Sequence, residues 1–222
     1  MADLPAALMK AAFAAGARIR HARVFYPNGL HLAGCLRAAA EFEPLLGSGD
    51  RPVVARLSKG VGTPGSLPDV LGLAFRVLDR ADRPWDFVLT TTGRGPLGRL
   101  VITPARGWAR AHYGCIVPYR IDQVAPTWLF ADPDLDQPTS ASLAAMNARM
   151  REDLVGFTLT ASRIGKPPRL LGELVLRPVR PTESGTDDFD PVHNHPPEVT
   201  LVPAVVERLR EFAYPGSRSE RE

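Results

Sequence analysis

The stretch Arg210-Glu211-Phe212-Ala213-Tyr214-Pro215-Gly216-Ser217 lies near the C-terminus and carries the clearest chemical pattern in the sequence. The apolar residues at helical spacing predict a short helix over 205–213, which Pro215 ends. Arg210 and Tyr214 are four residues apart, so they share one helix face. A guanidinium beside a phenol favours the phenolate, and tyrosinate is a known axial ligand of ferric haem. The same spacing is common in surface helices, so the pair alone does not identify a haem site.

Length, charge and cysteine content limit the classes of protein to which the chain can belong. Its 222 residues fit one domain over 1–222 with a sizeable core, a helical arm over 1–20 and a charged, flexible tail over 216–222. The net charge of +3 is mild and the arginines are scattered, which argues against nucleic acid as a partner. Cys35 and Cys115 match no metal or redox spacing, so we expect two buried thiols in a reducing compartment.

The hydropathy of the chain predicts a cytoplasmic protein. No stretch approaches the length of an apolar membrane span. Residues 1–16 are alanine-rich and contain Asp3 and Lys10, so they predict an amphipathic helix rather than a signal peptide. A homo-oligomer is compatible with such a sequence.

Frequent breaks predict many short strands and few helices, since the chain contains 22 prolines and 19 glycines. The best helix is predicted over 140–154, capped by Ser140 or Ser142, with Leu143, Met146, Met150 and Leu154 on one face. Other helical segments are predicted over 4–17 and 38–46. We therefore predict an α+β fold, a mostly antiparallel sheet or barrel with appended helices. Its strands are predicted over 24–26, 30–36, 52–58, 70–78, 85–92, 114–121, 156–164 and 170–179.

The C-terminal stretch resembles the proximal haem segment of catalases, which reads Arg-x-Phe-(Ser/Ala)-Tyr-Pro-Asp-Thr. Gly216 and Ser217 stand where that family has Asp and Thr. Phe189-Asp190-Pro191 and Pro196-Pro197 resemble the segment that leads into it.

Four more blocks resemble catalase segments and follow the order of that family. They are residues 23–36, 54–58, 69–76 and 85–92, and with the C-terminal stretch they cover roughly half of the chain. The resemblance implies a small catalase-related haem protein with a closed antiparallel β-barrel. It also implies ferric haem b held by Tyr214 on the C-terminal helix, with Arg210 beside that ligand.

The resemblance assigns roles to residues of the distal side, where this chain departs from catalases. Tyr26 stands at the position of the distal histidine, and a phenol with a pKa of about 10 is a donor but a poor base. Thr90 matches the distal asparagine, and Ser58 is retained. Arg23 and Arg56 stand at positions that bind haem propionates in the family. Phe25, Val88 and Phe75 are either core residues or haem-wall residues, and the sequence does not separate the two.

Alternative interpretations of several residues stay open. Arg23 and Arg56 also suit salt bridges at a barrel end. His31 follows Tyr26 by five residues, which places it on the opposite sheet face unless the intervening Pro-Asn-Gly bend changes the alternation. We favour an outward or packing role for it over that of a displaced base. His193 and His195 lack further metal ligands at a typical spacing, so a polar loop is favoured.

Three classes of function fit these patterns. The favoured one is a haem oxidoreductase that uses hydrogen peroxide or an organic hydroperoxide on a small molecule and is weak as a true catalase. The second is a haem-dependent lyase or isomerase of the allene-oxide-synthase type. The third is a haem-free binding module or other enzyme built on the same barrel.

Overall fold

The computed structural model describes residues 29–121, 125–180 and 189–202. The predicted helices over 4–17 and 205–213 and the predicted strand over 24–26 lie outside these ranges, as do the arm and the tail. Five predicted site residues also lie outside the described residues: Arg23, Phe25, Tyr26, Arg210 and Tyr214.

Ten strands are described: β1 Gly29–Ala38, β2 Asp50–Lys59, β3 Leu71–Leu78, β4 Pro84–Thr91, β5 Tyr113–Gly114, β6 Tyr119–Ile121, β7 Trp128–Pro133, β8 Val155–Ser162, β9 Arg169–Pro178 and β10 Val199–Leu201. Eight of them close into an antiparallel barrel in the order β1-β2-β3-β4-β5-β7-β8-β9, with β9 pairing back to β1. This confirms the prediction of an α+β fold built on a closed antiparallel barrel. Strand β10 pairs with β6 in a separate two-stranded sheet.

Short helices and one longer helix connect these strands. The described helices are α1 Glu43–Leu46, α2 Gly95–Gly98 and α3 Leu143–Glu152, with a 3₁₀ turn at Trp108–Arg110. Among the described residues, no helix combines the length and apolar character needed to cross a membrane.

The barrel interior is filled by the apolar side chains of alternate strand residues. Phe75 and Phe87 stack with their ring centroids 4.6 Å apart, and Trp85 packs 4.7 Å from Phe87. Tyr113 meets Phe157 edge-on at 5.9 Å. An eight-stranded barrel is just wide enough for side chains to fill. The face of the strands that can receive a large ligand is therefore the outer one.

Helix α3 differs from its predicted form at the C-terminal end. Ser142 caps it, because its Oγ accepts a hydrogen bond from Ala145 N at 3.2 Å. Met146 and Met150 are buried as predicted, but Leu154 is 50% exposed. The helix ends at Glu152 and the chain enters β8 at Val155, so Leu154 has left the helical face.

Two predictions about strands and one about a thiol were wrong. The segment predicted as one strand over 114–121 forms β5 and β6, which pair with different partners on either side of Pro118. Strand β7 was missed, because it lies between prolines and shows no clear alternation. Cys115 is buried, whereas Cys35 is only half-buried on the outer side of β1, and both are free.

Candidate functional site

The outer side of β1 to β4 forms a surface that we call the outer platform. Strand register fixes which residues lie side by side on it, because side chains alternate between the two faces of a strand. One row contains Gly29, Ser58, Gly72 and Thr90. The next contains His31, Arg56, Ala74 and Val88, and the third contains Ala33, Val54, Arg76 and Asp86.

Small residues leave parts of the outer platform flat, because the side chains of glycine and alanine project little above the strands. Glycine or alanine occurs in every row of the platform, at Gly29, Ala33, Gly72 and Ala74. At Gly29 a Cβ atom would lie 2.6 Å from Nε of Arg56 and 2.9 Å from the Leu57 carbonyl oxygen. The Arg56 side chain therefore lies across Gly29, and only glycine leaves room for it.

Two hydroxyl residues stand next to this low surface. Ser58 and Thr90 are 7% and 3% exposed, in neighbouring positions across Gly72. Thr90 Oγ1 donates to the Leu71 carbonyl oxygen at 3.4 Å, which is long for a hydroxyl donor.

The structure brings four of the predicted site residues together: Arg56, Ser58, Val88 and Thr90 all belong to the outer platform. His31 lies on this face as well, directly opposite Arg56 on the neighbouring strand. His31 therefore lies on the same outer face as the predicted polar residues, and this position does not decide between a packing role and that of a displaced base.

Asp86 anchors the segment around residues 189–194 to the platform edge. This fully buried carboxylate accepts from Arg76 Nε at 2.5 Å and from Arg76 Nη2 at 2.7 Å. It also accepts from Asp190 N at 2.7 Å and from Asn194 Nδ2 at 2.8 Å. The segment that resembles the approach to the catalase haem ligand is thus tied to the outer side of β4.

The histidines of this segment have local partners. His193 Nδ1 lies 2.5 Å from Asp190 Oδ2, and His195 Nδ1 lies 3.0 Å from the Pro196 carbonyl oxygen. Within the described part of the chain, no group of three or more His, Cys, Asp or Glu side chains is arranged to hold a metal ion.

The outer face continues past Thr90 onto β5 and β7. Thr90 pairs with Gly114, which pairs with Phe130. The imidazole of His112 stacks on Phe130 at 4.9 Å, and its Nδ1 lies 2.7 Å from Asp132 Oδ1. Sequence reasoning missed this His112–Asp132 pair, because its members are twenty residues apart and meet only through β7.

Charge keeps Asp132 ionised. Burial by itself would raise the pKa of this carboxyl, but the hydrogen bond from His112 and the charges of His112 and Arg94 lower it overall. Arg94 Nη2 lies 3.2 Å from Asp132 Oδ1. The guanidinium of Arg99, which follows α2 in the chain, lies 5.1 Å from the ring of Trp128 and 5.6 Å from that of Phe130, both on β7.

A cavity of about 390 Å³ lies away from the outer platform, between the loop after β2 and the start of α3. Its lining includes Lys59, whose ammonium is buried. Lys59 Nζ donates to the carbonyl oxygens of Thr63 at 2.7 Å, Gly65 at 3.2 Å and Leu67 at 3.3 Å. These bonds occupy its donors, so this lysine holds the loop rather than a ligand.

No known family model matches the chain, and no curated protein is significantly similar to it. The resemblance to catalases therefore rests on the residue blocks quoted above and stays a prediction.

Proposed function

We propose that this protein is a small catalase-related oxidoreductase that binds ferric haem b and uses hydrogen peroxide or an organic hydroperoxide. The observation that carries the proposal is the outer platform. Four residues selected by the resemblance, two on β2 and two on β4, share one face there, namely Arg56, Ser58, Val88 and Thr90. Residues two apart on one strand always share a face, so the supporting observation is that the β2 pair and the β4 pair face the same side of the barrel.

The chemistry of the outer platform fits a planar, anionic ring. Glycine and alanine in the middle leave a low surface, and half-buried Val88 adds an apolar contact. Arg56, lying across Gly29, offers a cation of the kind that pairs with a propionate. Ser58 and Thr90 supply hydroxyl groups in the same row as Gly29.

Each residue then has a role in the proposal. Tyr214 would bind the iron, and Arg210 would favour its phenolate form. Arg23 and Arg56 would pair with the propionates, while Phe25 and Val88 would line the ring. Haem, when bound, would supply an iron centre for electron exchange with peroxide. Ser58, Thr90 and Tyr26 would donate hydrogen bonds to the peroxide oxygens.

The test of haem ligation is Tyr214→Phe. The purified wild-type protein should show a Soret band and a ferric tyrosinate charge-transfer band, and the variant should lose or strongly shift the second. Tyr113→Phe is the matched control, because that phenol is fully buried inside the barrel. Unchanged haem content and spectrum in Tyr214→Phe would contradict the ligand assignment. A wild-type protein without a Soret band would favour the haem-free module.

Dismutation of hydrogen peroxide should be slow compared with a true catalase. The phenol of Tyr26 is a poor proton acceptor, and loss of a well-placed acid–base group typically costs about 10²–10⁴-fold in rate. Oxygen evolution measured with an electrode checks this expectation. Catalase-like rates would show that a base stands close to the peroxide. Haem without steady peroxide turnover would instead favour the lyase or isomerase.

A further inference from the structure

The His112–Asp132 pair lies one strand beyond the edge of the outer platform, on the same side of the barrel. Thr90 is opposite Gly114, and Thr92 N donates to the His112 carbonyl oxygen at 3.0 Å. His112 is therefore the diagonal neighbour of Thr90 across the β4–β5 pairing. Such neighbours are about 7–8 Å apart between Cα atoms, which places His112 beside the platform rather than on it.

The hydrogen bond to Asp132 fixes how the imidazole carries its proton. An ionised carboxylate is only an acceptor, so the neutral ring keeps its proton on Nδ1 and presents Nε2 as the acceptor. Stacking on Phe130, with interplanar angle 14°, holds the ring in place. A carboxylate that orients a histidine while the other nitrogen faces a substrate is the arrangement used in general acid–base catalysis.

The surroundings of His112 are polarised but accessible. Its side chain is 14% exposed. The charged groups around it are Asp132, Arg94 and Arg99. Arg94 Nη2 lies 3.2 Å from Asp132 Oδ1, and the guanidinium of Arg99 lies 5.6 Å from the ring of Phe130. The ring is thus shielded from bulk water without being sealed from a small molecule such as a peroxide.

We infer that His112, oriented by Asp132, is the acid–base residue of the peroxide reaction. This inference rests on the proposed function. Nε2 accepts the proton from the O–H of a hydroperoxide and returns it to the oxygen that leaves as the O–O bond breaks, which departs as water or an alcohol. The two electrons for this cleavage come from the ferric haem named in the proposed function. A proton acceptor on the neighbouring strand, rather than at Tyr26, suits an enzyme that is slow as a catalase yet reacts with peroxides.

The first test measures peroxide-driven oxidation of a dye such as guaiacol, together with haem content. His112→Gln should lower turnover by about 10²–10⁴-fold with haem content unchanged. His193→Gln is the matched control, since that histidine is 56% exposed in the 189–194 segment. An unaffected rate in His112→Gln overturns the inference, and so does a comparable loss in His31→Gln but not in His112→Gln. A wild-type protein that takes up no haem overturns the proposed function and this inference with it.

The second test needs neither haem nor turnover. Nitrogen-15 NMR of the histidine side chains in the haem-free protein reports which ring nitrogen is protonated. His112 should show the Nδ1–H tautomer, and Asp132→Asn should lower the population of that tautomer and also reduce turnover in the haem-loaded protein. An Nε2–H tautomer in the wild type overturns the inference even if haem binds.

Discussion

At the scale of single residues, Tyr26 occupies the position that the resemblance gives to the proton-transferring histidine. Tyr26→His should raise peroxide consumption, provided that the imidazole reaches hydrogen-bonding distance of the bound peroxide. Tyr26→Phe should keep haem binding and impair the native reaction, since it removes only a donor. Haem content, peroxide-driven rate and azide-binding spectra measure these effects. If neither substitution changes azide binding or peroxide reactivity, the alignment of residues 23–36 with catalases is wrong.

At the scale of elements, the loop between β2 and β3 depends on one buried ion pair. Asp69 Oδ1 accepts from Val61 N at 2.8 Å, and Oδ2 accepts from Thr63 N at 2.7 Å. Lys59 Nζ lies 3.9 Å from Asp69, and both side chains are almost completely buried. Asp69→Asn should lower the free energy of unfolding by about 3–5 kcal/mol, because it leaves a buried ammonium without its counter-charge.

Urea unfolding of Asp69→Asn and of a surface control measures this effect. Asp50→Asn is the control, since Asp50 pairs with Arg37 and both side chains are at least half exposed. Solvent screens such a pair, so the control should change the unfolding free energy little. Equal destabilisation of the two variants would show that the Lys59–Asp69 pair is not what holds the loop.

Local sequence patterns were sufficient to predict strands β1 to β4. They were insufficient to predict the part of the site around His112 and Asp132. Glycine and proline on either side of alternating apolar residues predicted those four strands, and the resemblance selected Arg56, Ser58, Val88 and Thr90. Strand β7 has no such pattern, although it positions both Phe130 and Asp132. His112 and Asp132 meet only because β5 pairs with β7 across a connection that includes β6. Contacts of this kind depend on the pairing of strands that are not consecutive in the chain, which no short stretch of sequence specifies.

At the scale of the whole molecule, the closed barrel places the residues that stabilise the fold and the residues of the proposed function on opposite faces of its strands. Aromatic and aliphatic side chains fill the interior, while the polar residues of interest lie on its outer side. Substitutions on the outer platform can therefore change ligand binding without opening a cavity in the core. Interior substitutions such as Phe87→Ala should mainly lower stability, by about 3–5 kcal/mol.

Acid should also destabilise the whole barrel, because several carboxyl groups titrate at lower pH in the folded state. Burial alone would raise the pKa of Asp79, but hydrogen bonds from Arg83 and Ala81 lower it overall. The pKa of Asp132 and that of Asp190 are also lowered despite burial, chiefly by bonds from His112 and His193. Asp134 opposes them, because burial and the charges of Asp136 and Glu173 raise its pKa.

The sign of the pH dependence follows from these directions. A carboxyl whose pKa is lower in the folded state stabilises the fold above its unfolded pKa, about 3.9, and loses that contribution as the pH falls through the folded value. Asp134 has the opposite sign, so its protonation offsets part of the loss. We expect the unfolding free energy, measured by urea titration between neutral pH and pH 3, to decrease toward acid. Asp79→Asn should flatten this decrease, and Asp134→Asn should steepen it. A stability that is constant or rises toward pH 3 would show that Asp79, Asp132 and Asp190 do not dominate the acid response.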